Sequence, residues 1–162
     1  MTLAIADREG ETEILDVIRE RKPPFSPEAV VEEFASLIRS YRCSKVYGDR
    51  YGGEWPREQF HKRSIFYEPA EKPKSELYRD LLPLINSGAV EILDNERLIA
   101  QLVSLERRTA RGGKESIDHA PGAHDDVANA VAGGSGDCLQ RAWNKQLQMA
   151  NQIAAVGDCV RK

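Results

Sequence analysis

Two adjacent carboxylates, Asp125 and Asp126, follow His124 and precede small residues in the segment HAPGAHDDVANAVAGG, residues 119–134. One carboxylate is enough to cap a helix, because its oxygen accepts a hydrogen bond from a free backbone N–H. A second carboxylate adds like-charge repulsion, which a bound cation would relieve, and Mg²⁺ prefers carboxylate oxygens and water. The pair therefore indicates either a helix cap without metal or a divalent-metal site. His124 either orients one of these carboxylates or shapes the turn.

Asp49 is the second acidic candidate. It ends the predicted short strand SKVYGD and precedes the glycine-rich YGGEW. Strand ends line the ligand crevice of open α/β sheets, although Asp is also common in turns. Carboxylates that converge from separate segments can hold two metal ions about 3.5–4 Å apart, an arrangement that hydrolyses phosphodiesters. Asp49 and the later pair together therefore predict a two-metal site.

Basic residues surround these acids in the sequence. Their side chains could bind phosphates or form ordinary solvated surface. They are Arg50, Arg57, Lys62, Arg63, Arg107, Arg108, Arg111 and Lys114. No GxxxxGK[ST] phosphate loop is visible, and no Ser–His–Asp or Cys–His nucleophile pattern stands out. We expect His61 and His119 at the surface.

Composition narrows the class of protein. The chain of 162 residues can form one domain, or one domain and a tail. Its net charge of −3 gives no global sign of nucleic-acid or membrane binding, so an anionic partner must be held by local patches or metal ions. No apolar run approaches the roughly 18 residues of a membrane span, and no signal peptide is visible. Three cysteines without CxxC spacing favour reduced thiols, so we expect a cytoplasmic protein without membrane contact.

The elements that must position these residues follow from periodicity. MTLAIA and EILDVIRER predict a β-hairpin, and SPEAVVEEFASLIRSY predicts a helix capped by Ser26. A strand, the short helix PREQFHKR and the strand SIFYEP follow. The helix SELYRDLLPLINSG should be kinked or shortened by Pro83. Next come the strand AVEIL, a helix NERLIAQLVSLERR with Ile99 and Leu105 on its inner face, a loop with room for one short strand, and the helix after HDD. This order predicts an α/β domain with a mixed sheet.

Three segments carry a resemblance to a known family. They are VYGDRYGGEWPREQF, YEPAEKPKSELYRDLLPLINSGAVEIL and RRTARGGKESIDHAPGAHDDVANAVAGG. Together they resemble the C-terminal nuclease domain of the large terminase subunit, the DNA-packaging motor protein of tailed phages. The resemblance implies an RNase H-like mixed sheet flanked by helices over residues 1–133. Outside the resemblance, the apolar spacing in DCLQRAWNKQLQMANQIAAV predicts a helical C-terminal tail over residues 134–162.

The resemblance also implies a function. A protein of this family is a metal-dependent endonuclease with Mg²⁺ or Mn²⁺ in a two-metal site, and it cuts double-stranded DNA. It works with an ATPase domain, the small terminase subunit and the portal, in the bacterial host of a phage or prophage. Asp49 matches the acidic residue on the fourth strand, a metal ligand and catalytic residue. Asp125 and Asp126 match the final acidic motif, in which one or both contact metal, and His124 would stand behind them.

One departure from the family matters. Its first metal-binding Asp lies on a central strand just upstream of a segment like MTLAIADREG, so we expect that strand, its Asp and the ATPase domain to be missing here. Asp7 falls at the far end of a hairpin strand, where a turn role is sufficient. We therefore expect weak or absent nuclease activity from this chain alone. Two alternatives stay open: a non-catalytic remnant that binds DNA or protein, and another RNase H-like nuclease such as a resolvase or transposase.

Overall fold

The computed structural model describes residues 1–48, 53–109, 112–113 and 115–134. Asp49, Arg50, Arg111, Lys114 and the predicted tail from residue 135 onward lie outside the described residues. Within the described ranges, none of the helices has the length and apolar character needed to cross a membrane.

A β-hairpin opens the fold, as predicted. Strand β1 (Thr2–Glu9) pairs antiparallel with β2 (Thr12–Glu20), and the register shifts by one residue between Ile5 and Ala6. Gly10 takes a φ of 63° in the turn, a conformation that glycine adopts without steric cost. A two-residue strand, β5 (Val90–Glu91), pairs parallel with β2 on its other side and gives the order β1-β2-β5.

Helix α1 (Pro27–Ser40) covers one face of this hairpin. Ser26 caps the helix by accepting a hydrogen bond from the N–H of Ala29, and Pro27 lies in its first turn, as the sequence predicts. Its buried side chains join Leu3 and Ile5 of β1 in the first hydrophobic core. They are Val30, Val31, Phe34, Ala35 and Ile38.

Strands β3 (Lys45–Gly48) and β4 (Phe66–Pro69) form a separate parallel pair, linked by helix α2 (Glu54–His61). Phe60 of α2 is buried in the first core. Gly48 lies beneath the ring of Tyr67, where an added Cβ would stand 2.1 Å from the Tyr67 hydroxyl oxygen. A side chain at position 48 would therefore have to displace the Tyr67 ring.

Helix α3 (Lys74–Ser87) spans nearly the whole predicted segment, so Pro83 does not shorten it. Pro83 lies on the exposed face, where water can satisfy the carbonyl that loses its N–H partner. The helix ends at Gly88, whose φ of 68° is the left-handed conformation typical of a helix C-terminus.

The next helix is shorter than predicted. Helix α4 (Glu96–Val103) begins after Asn95, whose side-chain oxygen accepts from the N–H of Leu98 at 2.9 Å. The prediction that the helix runs on through LERR is wrong: Leu105–Thr109 form strand β6, antiparallel to β7 (Glu115–His119). Cross-strand pairing with β7, the other arm of the same hairpin, overrides the local helical pattern. Ile99, expected on the inner face, is 43% exposed.

Helix α5, residues 126–134, follows the HDD motif as predicted. It packs with α3, α4 and β2 in a second core on the opposite side of the hairpin from α1. This core contains Leu15, Leu77, Tyr78, Leu81, Leu98, Val127, Ala128, Val131 and Ala132. The predicted α/β architecture, with parallel and antiparallel strands flanked by helices, is confirmed. The described strands form three separate ladders rather than one continuous sheet.

Candidate active site

Asp125 lies immediately before α5, and its side chain is buried against α3. Its Oδ2 accepts a hydrogen bond from the Tyr78 hydroxyl at 2.8 Å and lies 3.1 Å from the Lys74 ammonium. Lys74 and Tyr78 stand four residues apart on α3, so one face of that helix presents both donors to one oxygen. Burial, and then the hydrogen bond to Asp125, raise the pKa of Tyr78 far above its usual range, so this phenol stays a donor.

The Lys74 ammonium also contacts a second carboxylate. Its Nζ lies 2.7 Å from Oδ1 of Asp118 on β7, so the lysine bridges Asp118 and Asp125. The hydrogen bond from Lys74 lowers the pKa of Asp118. Burial alone would lower the pKa of Lys74, but its hydrogen bonds to the two carboxylates outweigh burial and raise it. Both partners are therefore charged at neutral pH.

Helix α3 and strand β7 are tied together at this point. The Ser75 hydroxyl donates to the carbonyl of Ile117 at 3.0 Å and accepts from its N–H at 3.1 Å. His119, at the end of β7, is partly buried rather than a surface residue as predicted. Its Nε2 lies 3.6 Å from Asp118 Oδ1 and 4.0 Å from Asp125 Oδ1. The site thus has two carboxylates, one ammonium, one phenol and one imidazole.

Gln101 of α4 fixes the beginning of α5. Its Oε1 accepts from the backbone N–H groups of Val127 and Ala128 at 2.9 and 3.0 Å. Asp125 therefore does not cap its own helix among the described residues, and its oxygens are turned to α3. Asp126 begins the helix with an exposed side chain that makes no ion pair with the described part of the chain. Capping does not account for this pair of acids.

His124 lies away from this cluster. It is exposed and lines a shallow depression with Arg97, Ala100, Gln101 and Ser104 of α4. No hydrogen bond or ion pair within the described ranges joins it to either Asp of the HDD motif. The predicted role of His124 behind the carboxylates stays a prediction.

The described arginines among the predicted phosphate-binding residues each pair with a nearby acidic side chain. Arg57 is exposed beside Glu54, with 3.5 Å between their charged atoms, and Arg107 pairs with Glu115 across the β6–β7 hairpin. Arg108 donates to Glu106 at 2.9 Å and to the carbonyl of His119 at 3.1 Å. Arg108 is thus the predicted arginine that reaches toward the acidic cluster. Arg63 has a structural role, because it bonds Glu32 at 2.6 Å and the carbonyl of Gln59 at 2.9 Å.

The donor set suits a divalent cation in part. Two carboxylates already converge on one cationic atom, the Lys74 Nζ, and oxygen is the ligand that Mg²⁺ and Mn²⁺ prefer. No group of three or more acidic, His or Cys side chains able to hold a metal occurs in residues 1–48, 53–109, 112–113 and 115–134. A further ligand must come from elsewhere, and Asp49 lies outside the described residues.

Sequence reasoning missed Lys74, Tyr78 and Asp118. Lys74 and Tyr78 have the i, i+4 spacing of a helix face, but the predicted helix begins only at Ser75. Asp118 lies in the segment ESIDH, which the sequence analysis assigns to a loop with room for one short strand. The contact between these residues and Asp125 depends on packing between distant segments, which no local pattern reveals.

Solved structures with the same architecture place this site in context. The chain matches the large terminase nuclease from thermophilic phage G20c with a TM-score of 0.67 at 18% identity, over 84% of this chain and 81% of that one. The chain has the fold of a phage large terminase nuclease. The G20c nuclease with bound magnesium matches with a TM-score of 0.64 at 18% identity, over 82% and 80% of the two chains. The nuclease domain of Thermus phage P74-26 matches with a TM-score of 0.62 at 19% identity, over 83% and 77%.

The resemblance to the terminase nuclease is thus confirmed for the fold, which is RNase H-like. No protein-family model matches the sequence, and no curated protein matches it either. At identities below 20%, these structural matches show the fold alone. Any argument about chemistry must therefore come from the side chains around Asp125.

Proposed function

We propose that this chain is the nuclease domain of a phage DNA-packaging terminase large subunit, a metal-dependent endonuclease that acts on double-stranded DNA. The observation that carries the proposal is that Asp118 and Asp125 converge on one positive charge, the Lys74 ammonium, in a chain with the terminase nuclease fold. The G20c nuclease has been solved with cobalt and with magnesium, which supports a divalent ion here. The named neighbours are terminases, which favours this reading over a resolvase or transposase.

Asp125, Asp126 and Asp49 are the proposed ligands. When bound, divalent ions supply an activated water and stabilise the leaving oxygen of the phosphodiester. Tyr78 holds Oδ2 of Asp125, and the other oxygen, Oδ1, lies 4.0 Å from His119 Nε2. Asp126 is free to turn its exposed carboxylate to the same ion. Arg107 and Arg108, with Arg50, Arg57, Arg111 and Lys114, are the proposed contacts to DNA phosphates.

We also propose that the domain needs one more strand than the described residues contain. Among the described strands, β1 pairs only with β2 and β3 pairs only with β4. Helix α1 and β1 nevertheless share one core, against which Val46 of β3 also packs. A strand between β1 and β3 would join the ladders into one sheet, and in the family this strand carries the first metal-binding Asp. Nuclease activity of this chain by itself is therefore expected to be weak or absent.

Plasmid nicking in the presence of Mn²⁺ tests the function. The variants are Asp125→Asn and Asp126→Asn, with Asp16→Asn on the exposed face of β2 as the matched control. Weak nicking that is lost in the two site variants and kept in Asp16→Asn supports an endonuclease. Addition of a polypeptide that supplies the missing strand and its Asp should raise the rate.

A non-catalytic remnant is the second candidate, since the described residues contain two carboxylates at the site rather than three. That reading predicts DNA binding by the basic loops, with no Mn²⁺ heat in calorimetry. It also predicts no nicking by the wild type even with the added strand. This combination of results would reject the endonuclease.

A further inference from the structure

Helix α4 has apolar side chains that the described residues leave exposed. Val103 is 81% exposed and Ile99 is 43% exposed. The two residues stand four positions apart on the helix, so they share one face, and Ala100 is exposed between them. Ile99, Ala100 and Val103 form the α4 stripe. A second amphipathic helix can cover a surface of this kind with its own apolar face.

The α4 stripe borders the shallow depression that His124 lines. Ala100 belongs to both the stripe and the depression. Gln101, which also lines the depression, accepts the N–H groups of Val127 and Ala128 in the first turn of α5. The stripe, the depression and the beginning of α5 are therefore neighbours.

The sequence after α5 has a pattern that fits this surface. Residues 135–162 lie outside the described residues, and their apolar spacing predicts an amphipathic helix. Arg141 and Lys145 fall on the opposite face of that helix, so docking would leave both charges in water. From Leu139 to Leu147 the helix measures about 12 Å, which is also about the length of α4. The apolar residues are Leu139, Trp143, Leu147, Ala150 and Ile153.

A short connection directs this segment back toward α4. Helix α5 ends at Gly134 and the predicted helix begins at Asp137, so only residues 135–136 lie between them. Connections of this length join antiparallel helices. Helix α5 measures about 13 Å, so an antiparallel helix returns to the level of its beginning after about nine residues. Trp143 and Leu147 lie on either side of that level, beside the α4 stripe.

We propose that residues 137–156 form a helix that docks on the α4 stripe, with Trp143 and Leu147 packed against Ala100 and Val103. The two-residue connection favours this occupant over a second copy of the chain, because it holds the segment at an effective concentration of roughly millimolar order. The docked helix covers the depression and thereby packs against the turn that leads into the HDD motif. This inference is independent of the proposed nuclease function, since it concerns packing alone.

Tryptophan fluorescence of the full chain tests the docking. Trp55→Phe leaves Trp143 as the single tryptophan, and in the docked helix it should emit at shorter wavelength than in the urea-unfolded chain. Val103→Glu, added to this background, places an unpaired charge in the contact and should shift the emission toward the unfolded value. Leu82→Glu, at a 56% exposed position on α3, is the matched control and should leave the emission unchanged.

Limited trypsin digestion gives a second measurement on the same proteins. Val103→Glu should speed cleavage after Arg141 and Lys145 by roughly ten-fold, because docking no longer protects these bonds. Leu82→Glu should be cleaved at the wild-type rate. Circular dichroism checks that both variants are folded.

Three results would overturn the proposal. One is a folded Val103→Glu protein whose emission and cleavage match those of its parent. Another is a response to Leu82→Glu instead, which would place the segment on α3. The third is a concentration-dependent dimer in sedimentation that Val103→Glu dissociates, which would assign the α4 stripe to a second copy of the chain.

Discussion

Gln101 accepts the backbone N–H of Val127 at 2.9 Å, and this contact fixes how the acidic motif is presented. The same Oε1 takes the N–H of Ala128 at 3.0 Å, so a side chain from α4 replaces the usual cap of α5. Asp125 is thereby released from capping, and its carboxylate turns to Tyr78 and Lys74.

Gln101→Leu should destabilise the protein by roughly 2–4 kcal/mol. Two buried N–H groups lose their acceptor, and each costs about 1–3 kcal/mol when left unpaired. Urea unfolding followed by circular dichroism measures the loss. Ile99→Ala, on the exposed face of the same helix, is the control and should lose less than about 1 kcal/mol. Equal losses in the two variants would contradict the capping role.

Tyr78→Phe should lower the free energy of unfolding by about 1–2 kcal/mol. The hydroxyl donates to a carboxylate in a buried setting, and hydrogen bonds to charged groups contribute about 1.5–3 kcal/mol. Lys74 still contacts the same oxygen in the variant, which reduces the loss. The exposed Tyr41→Phe serves as control in the same urea experiment. A Tyr78→Phe protein as stable as Tyr41→Phe would show that the bond is not formed in solution.

Glu13 should make stability fall as pH rises from about 4.5 to about 7. Its carboxyl group is buried with neither oxygen hydrogen-bonded within the described ranges, and burial raises its pKa to about 7 despite the nearby Arg8. Between those values the unfolded chain ionises first and binds fewer protons than the folded chain, so deprotonation favours unfolding. The loss is complete above about pH 7, and each unit of pKa difference contributes about 1.4 kcal/mol.

Glu13→Gln removes this titration. The variant should be about 2–3 kcal/mol more stable than the wild type at pH 8, and the difference should shrink toward pH 4. Urea unfolding at a series of pH values measures both proteins. Glu11→Gln, a substitution at an exposed turn residue, should track the wild type throughout. A constant offset between Glu13→Gln and the wild type at all pH values would count against the buried, protonated carboxyl.

The backbone amides along one edge of strand β1 should be protected from hydrogen exchange. Only every second residue of β1 directs its N–H to β2, and no other described strand pairs with β1. Hydrogen exchange followed by NMR should find slow amides alternating with fast ones along Thr2–Glu9. Buried amides of α1, such as that of Phe34, give the slow reference. Uniform protection along β1 would reveal a second partner strand and remove the case for a missing one.

Local patterns predicted the elements that local chemistry controls. The first hairpin, helix α1 and its cap at Ser26 each need only neighbouring residues, and all three are present. The prediction of helix over β6 is wrong because ERR fits either state, and only its pairing with β7 in a hairpin decides between them.

The candidate site is predicted only in part, because local patterns show its acidic motif but not the segments that pack against it. Adjacent acids before a small-residue run are visible in the sequence, so Asp125 was found. Its partners Lys74 and Asp118 come from segments 44 residues apart, and nothing in either segment indicates the meeting. The sequence predicts His124 behind the carboxylates because it precedes Asp125 in the chain. The structure places His119 beside Asp125 in space. That Asp49 lies close enough to Asp125 to share metal ions stays a prediction.

The paired hydrogen bonds between Ser75 and Ile117 have an evolutionary consequence. They join the helix that carries Lys74 and Tyr78 to the strand that carries Asp118, and all of these residues are encoded downstream of the β3–β4 pair. A recombination crossover between the codons of Pro69 and Lys74 would therefore transfer this whole cluster in one piece. Homologous chains would then inherit the contacts around Asp125 together, whatever the sequence of their first half.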